Sequence, residues 1–145
     1  MEIVKLLLDR GADVNAPAGG HYGTALYAAA CVYRDTTIHE DSLEIVQRLL
    51  DSGADVNATG GSYGSALGAA AARGKLDVVR LLLYNGADLN LTKGQGARPL
   101  ELAEQQGHQD IVTLLRGLDG GDGLYLRYTV AVWPLDLVEW EMNLA

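Results

Sequence analysis

The sequence predicts an all-α fold: a solenoid of helix-turn-helix units joined by β-turn fingers, followed by a C-terminal tail of different character. Three observations predict it. The segment GADVN at Gly11 to Asn15 returns at Gly53 to Asn57, and again as GADLN at Gly86 to Asn90. Recurrence at such a period is the mark of a repeat architecture. Gly53 to Gly86 spans 33 residues and Gly11 to Gly53 spans 42. Pairing Leu26 with Leu67 and Ile45 with Val78 puts one of the nine extra residues before Thr24 and eight between Ala30 and Glu44. The third observation is that an apolar run precedes each GAD segment: IVKLLL, IVQRLL and VVRLLL, with IVTLLR once more at Ile111 to Arg116. A two-helix unit of this size cannot enclose its own core, so neighbouring units must stack.

Gly60 to Leu91 is the one uninterrupted copy. In its second helix Val78, Leu81 and Leu82 fall at i, i+3 and i+4 on one face, and Val79 and Leu83 widen that face. Gly86 follows where a left-handed exit residue is wanted, as Gly11 and Gly53 do in their copies. Ser65 and Thr24 are placed to cap the first helices by accepting a backbone N–H, a contact worth roughly 1 kcal/mol. Pro99 does a related job at a first helical position, where there is no N–H bond to lose. Ala69 to Ala72 are small enough for close helix approach.

Taken in order, residues 1–16 are a partial unit, a second helix and its exit. Ile3, Val4, Leu7 and Leu8 should face a partner helix that these residues do not provide. Either the chain is a fragment of a longer array, which is the preferred reading, or another molecule covers that face. Residues 17–58 form a unit with an insertion at about 31–43. Gly19 and Gly20 permit its tight finger turn, with His21 and Tyr22 at the tip or flank. Thr24 to Val32 follows as its first helix, and Asp41 with Glu44 reads as a capping box opening a helix from Leu43 to Leu50. Residues 59–91 are the intact unit. Residues 92–116 are the last, with Arg98 where a capping hydroxyl is expected, making that helix start weaker. GLDGGDG at 117–123 reads as a flexible linker. In the tail, 124–145, apolar residues alternate from Leu124 to Val132 in a strand-like pattern, and Asp136 with Glu139 suits a short helix after Pro134.

On these motifs the chain resembles the ankyrin repeat family over about residues 1–116, which implies an ankyrin-repeat α-solenoid with a non-ankyrin tail. GADVN and the apolar runs match the family's second helix and exit. The first-helix signature T-P-L-H-x-A survives in part, as Thr24-Ala25-Leu26-Tyr27, Ser65-Ala66-Leu67-Gly68 and Arg98-Pro99-Leu100-Glu101. No copy has His at the fourth place, so the family's hydroxyl-to-imidazole bracing is not expected in its usual form. The variant GG-x-YG-x-AL is similar to repeats in fungal ankyrin arrays, some of which sit at the ends of large sensor NTPases.

Composition narrows the function. Hydrophobic residues are 48% and charged residues 21%, which disfavours global disorder. A net charge of -8 with three lysines speaks against a nucleic-acid partner, whose phosphates need a basic footprint. The single cysteine, Cys31, excludes an internal disulfide and fits a reducing compartment. No apolar run approaches a membrane span, and Met1-Glu2-Ile3 is not the opening of a signal peptide. A cytoplasmic or nuclear, membrane-independent protein is expected.

The chemical inventory is thin. The phosphate-binding loop G-x-x-x-x-G-K-[ST] is absent. His21, His39 and His108 lie in different units with no metal-ligand spacing, and His108 reads as structural. Ser42, Ser52, Ser62 and Ser65 read as caps or turn residues without a G-x-S-x-G context. Asp13, Asp55 and Asp88 recur one unit apart, as turn aspartates do, rather than converging as an acid and base pair. No enzyme, cofactor or metal is expected.

The resemblance implies a non-catalytic protein-protein interaction module, or alternatively a regulatory or sensing C-terminal fragment of a larger multidomain NTPase-type protein. It implies partner contact at finger tips and first helices, mapped onto His21 and Tyr22, then Ser62, Tyr63 and Arg73, then Gln95, Gln105 and Gln106. Gly20, Gly61, Ala72 and Gly94 occupy matching places. Arg73, Tyr22 and Tyr63 are the best anchors by residue type, although packing along neighbouring fingers is the preferred reading of both tyrosines. Partner identity and oligomeric state are not encoded in any motif.

Overall fold

The computed structural model describes residues 2–18, 21, 23–31, 39–92 and 96–119. The tail, including the strand-like and helical patterns at 124–145, lies outside the described residues, as do Tyr22, Gln95 and the centre of the insertion. Among the described residues there are seven helices: α1 Glu2–Asp9, α2 Ala25–Cys31, α3 His39–Asp51, α4 Ala66–Arg73, α5 Leu76–Tyr84, α6 Pro99–Gln106 and α7 Gln109–Asp119. No strand is formed among them beyond one bridge, Ala18 to Gly23, which closes the first finger.

The helices stack in two layers. First helices α2, α4 and α6 pack side by side, α4 in the middle, and α3, α5 and α7 back them. Residue size permits the close inner layer: Ala66 to Ala72 of α4 are all buried, and Ala69, Ala70 and Ala71 show no exposure. Leu26, Leu67, Val46, Val79, Leu82, Ile111 and Leu115 fill the space between the layers. Each large apolar side chain buried this way stabilises by about 1.5–3 kcal/mol.

The helix ends follow their residue types. Ser65 is extended, and its Oγ accepts the Gly68 N–H at 3.0 Å. Thr24 does the same for Tyr27 at 3.2 Å. The exit glycines Gly11, Gly53 and Gly86 all have left-handed φ, between 79° and 91°. At α6 the cap comes from the other partner. Arg98 has no acceptor to offer, so the Glu101 carboxylate reaches back to the Arg98 N–H at 3.0 Å and to its Nε at 3.2 Å. Those bonds hold the Glu101 carboxyl below the usual carboxylate range.

Three local expectations are corrected. α3 starts at His39, not Leu43. Asp41 thus lies within α3 and does not precede it. Ser42, expected as a cap or turn residue, is a buried residue of α3. α7 continues to Asp119, and Leu118 is 5% exposed, so Gly117 to Asp119 are helical where a linker was expected. Burying Leu118 against the core outweighs the unfavourable glycine at 117, a cost of about 1 kcal/mol.

Candidate functional site

A side-chain ladder fixes the spacing of the units. Asn15 donates from Nδ2 to the Gly53 carbonyl at 3.0 Å and accepts the Asp55 N–H at 2.7 Å. Asn57 repeats this one unit on, with the Gly86 carbonyl at 3.1 Å and the Asp88 N–H at 2.8 Å. The aspartates of GAD are turn acceptors: Asp13, Asp55 and Asp88 each take the N–H two residues on, from Asn15, Asn57 and Asn90. Their carboxylates are thereby engaged locally. Asn90 meets Arg98, whose Nη1 lies 3.3 Å from its Oδ1 and 3.8 Å from Asp119 on α7.

A tyrosine braces the next finger. Tyr27 stands where the family signature has histidine, is 2% exposed, and accepts the Tyr63 N–H at 3.0 Å through its hydroxyl. Burial pushes the phenol above its ordinary range, with the Tyr63 N–H bond opposing. The ring lies directly beneath Gly61, which has φ +68°; a Cβ there would overlap it. The second glycine of GG-x-YG is therefore required by the tyrosine one unit earlier. Sequence reasoning noted the missing histidine but did not assign this substitute, because the contact joins residues 36 apart. Its only signal was the pairing of a tyrosine at the fourth place with a double glycine in the following finger.

Two of the mapped surface residues come together. The Arg73 guanidinium lies over the Tyr63 ring, 5.6 Å from its centroid, a cation–π contact worth about 0.5–2 kcal/mol. Arg73 also places Nη2 3.9 Å from the Cys31 sulfur. Tyr63 packs against the core and both residues are half-buried. Ser62 is exposed on the same finger and His21 on the preceding one. Gln105 and Gln106 are exposed at the end of α6, one unit on from Ala72 and Arg73. Ala72 is buried and Gly61 is too. Gly20, Tyr22, Gly94 and Gln95 fall outside the described residues.

The α4–α5 turn carries the other polar features. His108 packs on Gly74, and its Nε2 lies 3.2 Å from the Ala72 carbonyl, so this histidine ties α4 to the following unit. Lys75 is 9% exposed, with Nζ 3.4 Å from the Ala29 carbonyl. Burial pushes its ammonium below the usual lysine range, and the Arg73 charge adds to the shift while Cys31 opposes it. Among the described residues no group of three His, Cys, Asp or Glu is placed to hold a metal, and no helix is long and apolar enough to cross a membrane.

A concavity lies at the α1 end. It is an open apolar groove of about 410 Å³ between α1, α2 and α3, lined by Val4, Leu7, Leu8, Ala28, Ile45 and Leu49 among others. Beside it Ile3, Leu6 and Leu7 are 73%, 52% and 54% exposed.

Comparison with protein-family models finds two matches. A model described as ankyrin repeats in three copies matches residues 36–122, more than half of the chain, and a single ankyrin repeat matches residues 1–18. Helix α2 lies between the matched segments and packs on α4 as α4 packs on α6. A comparison with curated proteins finds no match. Repeats, two-layer helical stack, asparagine ladder and family matches agree: the chain belongs to the ankyrin repeat family.

Proposed function

We propose that this chain is a non-catalytic scaffold that binds a protein partner through finger tips and first-helix ends. The observation that carries this is the array itself: among the described residues, seven helices of ankyrin type in which Asp13, Asp55, Asp88 and the Ser65 cap are engaged within their own units and His108 ties one unit to the next. At the mapped finger tips and first-helix ends, His21, Ser62, Gln105 and Gln106 are exposed polar groups, beside the half-buried Arg73 and Tyr63 pair. Tyr22 and Gln95, outside the described residues, occupy the matching places of the repeat in the sequence. A stacked arginine and tyrosine lose little freedom on binding, which suits them as an anchor among smaller polar contacts. With a net charge of -8, a partner surface of basic character is favoured.

The test is affinity capture from a cell extract with the unaltered chain and with the triple variant Arg73→Ala, Gln105→Ala, Gln106→Ala. A specific protein should be captured by the first and lost from the second while the melting transition stays cooperative. Equal capture by both moves the binding surface elsewhere. A second function, regulatory or sensing work within a larger NTPase-type protein, draws support from the apolar groove beside α1. An upstream reading frame encoding a phosphate-binding loop continuous with α1 supports it, and stop codons in every frame remove it.

A further inference from the structure

The residue before each exit glycine differs from unit to unit. Gly11, Gly53 and Gly86 are preceded by Arg10, Ser52 and Asn85, and Asn85-Gly86 is the one Asn-Gly pair in the chain. That pair is chemically labile. The backbone nitrogen that follows an asparagine can attack the side-chain amide carbon, and a glycine there has no Cβ to hinder the approach. A bulkier residue would hinder the attack but strain the exit, because Gly86 has φ +88°, which L side chains rarely adopt. The exit geometry and the lability therefore come from the same residue.

In the folded array the two reacting groups are held apart. Asn85 has φ -89° and ψ 13°, which turns the Gly86 nitrogen away from the Asn85 side chain. That side chain is fastened elsewhere, with Nδ2 donating to the Leu81 carbonyl at 2.8 Å. The Gly86 N–H donates to the Leu83 carbonyl at 3.0 Å, and the Ala87 N–H to the Leu82 carbonyl at 3.0 Å. Asn57 clamps the exit from the preceding unit, donating to the Gly86 carbonyl at 3.1 Å and accepting the Asp88 N–H at 2.8 Å. Asn85, Gly86 and Asp88 are all exposed, so a local opening of the helix end frees them without unfolding the core.

We propose that Asn85 is a conditional deamidation site: the closed exit protects it, and each opening of the α5 end exposes it to conversion. In the open state the Gly86 nitrogen, after losing its proton to solvent, bonds to the Asn85 side-chain carbon. The bond from that carbon to Nδ2 breaks, and ammonia leaves. Water then opens the resulting five-membered imide at either carbonyl. One opening gives aspartate; the other reroutes the main chain through the side-chain carbon and gives isoaspartate. Water is the only co-reactant, and nothing is oxidised or reduced.

Both products oppose reclosure. Each removes the donor that Leu81 accepts and puts a negative charge at the C-terminal end of α5, where the last carbonyls already make the local field negative. Isoaspartate also inserts one carbon into the main chain ahead of Gly86, which displaces the carbonyl that Asn57 holds. The α5 exit thus acts as a one-way latch between this unit and the preceding one, and the modified fraction records how often it has opened. This device is separate from the finger-tip surface above and stands or falls independently of it.

The test is peptide mapping by mass spectrometry on the full chain, held at neutral pH and sampled over weeks, with the mass gain at Asn85 as the readout. Asp119 and Asp122 also precede glycine, but their rearrangement leaves the mass unchanged. A synthetic peptide copying residues 83–90 gives the unprotected rate. The folded chain should convert at least about tenfold more slowly, because conversion is slow against reclosing and so follows the open fraction. Asn57→Ala should raise the folded rate several-fold, whereas Asn15→Ala, the same change one unit away, should leave it within about twofold. Chain modified at Asn85 and separated by ion exchange should show faster amide hydrogen exchange from Gly86 to Asp88. Asn85→Ser, which copies Ser52, should show neither the mass gain nor the faster exchange. Equal rates in chain and peptide overturn the proposal, as does equal acceleration by Asn15→Ala. Unchanged exchange in the modified chain overturns it too, since the exit would then reclose.

Discussion

Helices α1 and α5 carry almost the same apolar sequence, IVKLLL against VVRLLL, yet one is open on the face that the other buries. Leu82 has no exposure; its counterpart Leu7 is 54% exposed. Amphipathic pattern therefore states which face of a repeat helix seeks cover, and neighbouring units decide whether that face is covered. Stability in a stacked array is a sum of unit and interface contributions, so the same residue contributes differently in the middle and at an edge.

Leu82→Ala against Leu7→Ala tests this most directly. The first should cost about 3–5 kcal/mol by urea unfolding, because it leaves a cavity in a close-packed layer, and the second less than ~1 kcal/mol. Equal losses would mean that α1 is covered in solution. Next in size is Gly61→Ala, which puts a Cβ against the Tyr27 ring at a left-handed φ and should cost about 2–3 kcal/mol. Combined with Tyr27→Ala it should cost distinctly less, since the clash is then gone; a strictly additive double mutant would place the strain elsewhere.

The ladder gives a finer comparison. Asn57→Ala removes two bonds between complete units and should cost about 1–2 kcal/mol. Asn15→Ala removes the equivalent bonds at the edge and should chiefly speed amide exchange in α1, with a smaller change in the global midpoint. Smallest is Lys75→Met, expected to be neutral or stabilising by up to about 1 kcal/mol, because a nearly buried ammonium with one long hydrogen bond gives way to an apolar chain. The folded pKa of Lys75 is depressed, so in that alkaline window the unfolded chain binds more protons than the folded one. Stability should therefore rise with pH between the depressed value and the ordinary lysine value, and the Met variant should lose that slope.

Much of the fold was legible before any coordinates. The repeat length, Ser65 as a cap, Pro99 at a helix start, the exit glycines and the uncovered face of α1 all follow from spacing and residue type. The errors at Asp41 and Gly117 both concern helix ends: α3 begins at His39, ahead of the capping signal, and burial of Leu118 carried α7 past Gly117. The candidate surface was legible only as positions in a repeat. That Arg73 stacks on Tyr63 is a matter of how α4 meets its finger, which no local spacing encodes.

By itself the sequence determined the unit, its register and which face of each helix is apolar, because these depend on periodicity within a few turns of one chain. Only the tertiary structure decided that Tyr27 replaces the family's histidine brace, that Gly61 exists to admit its ring, and that Asn15 and Asn57 set the spacing between units. Those contacts join residues 29 to 40 positions apart. Their energy resides in the interface between units, and an interface has no signature until two units are stacked.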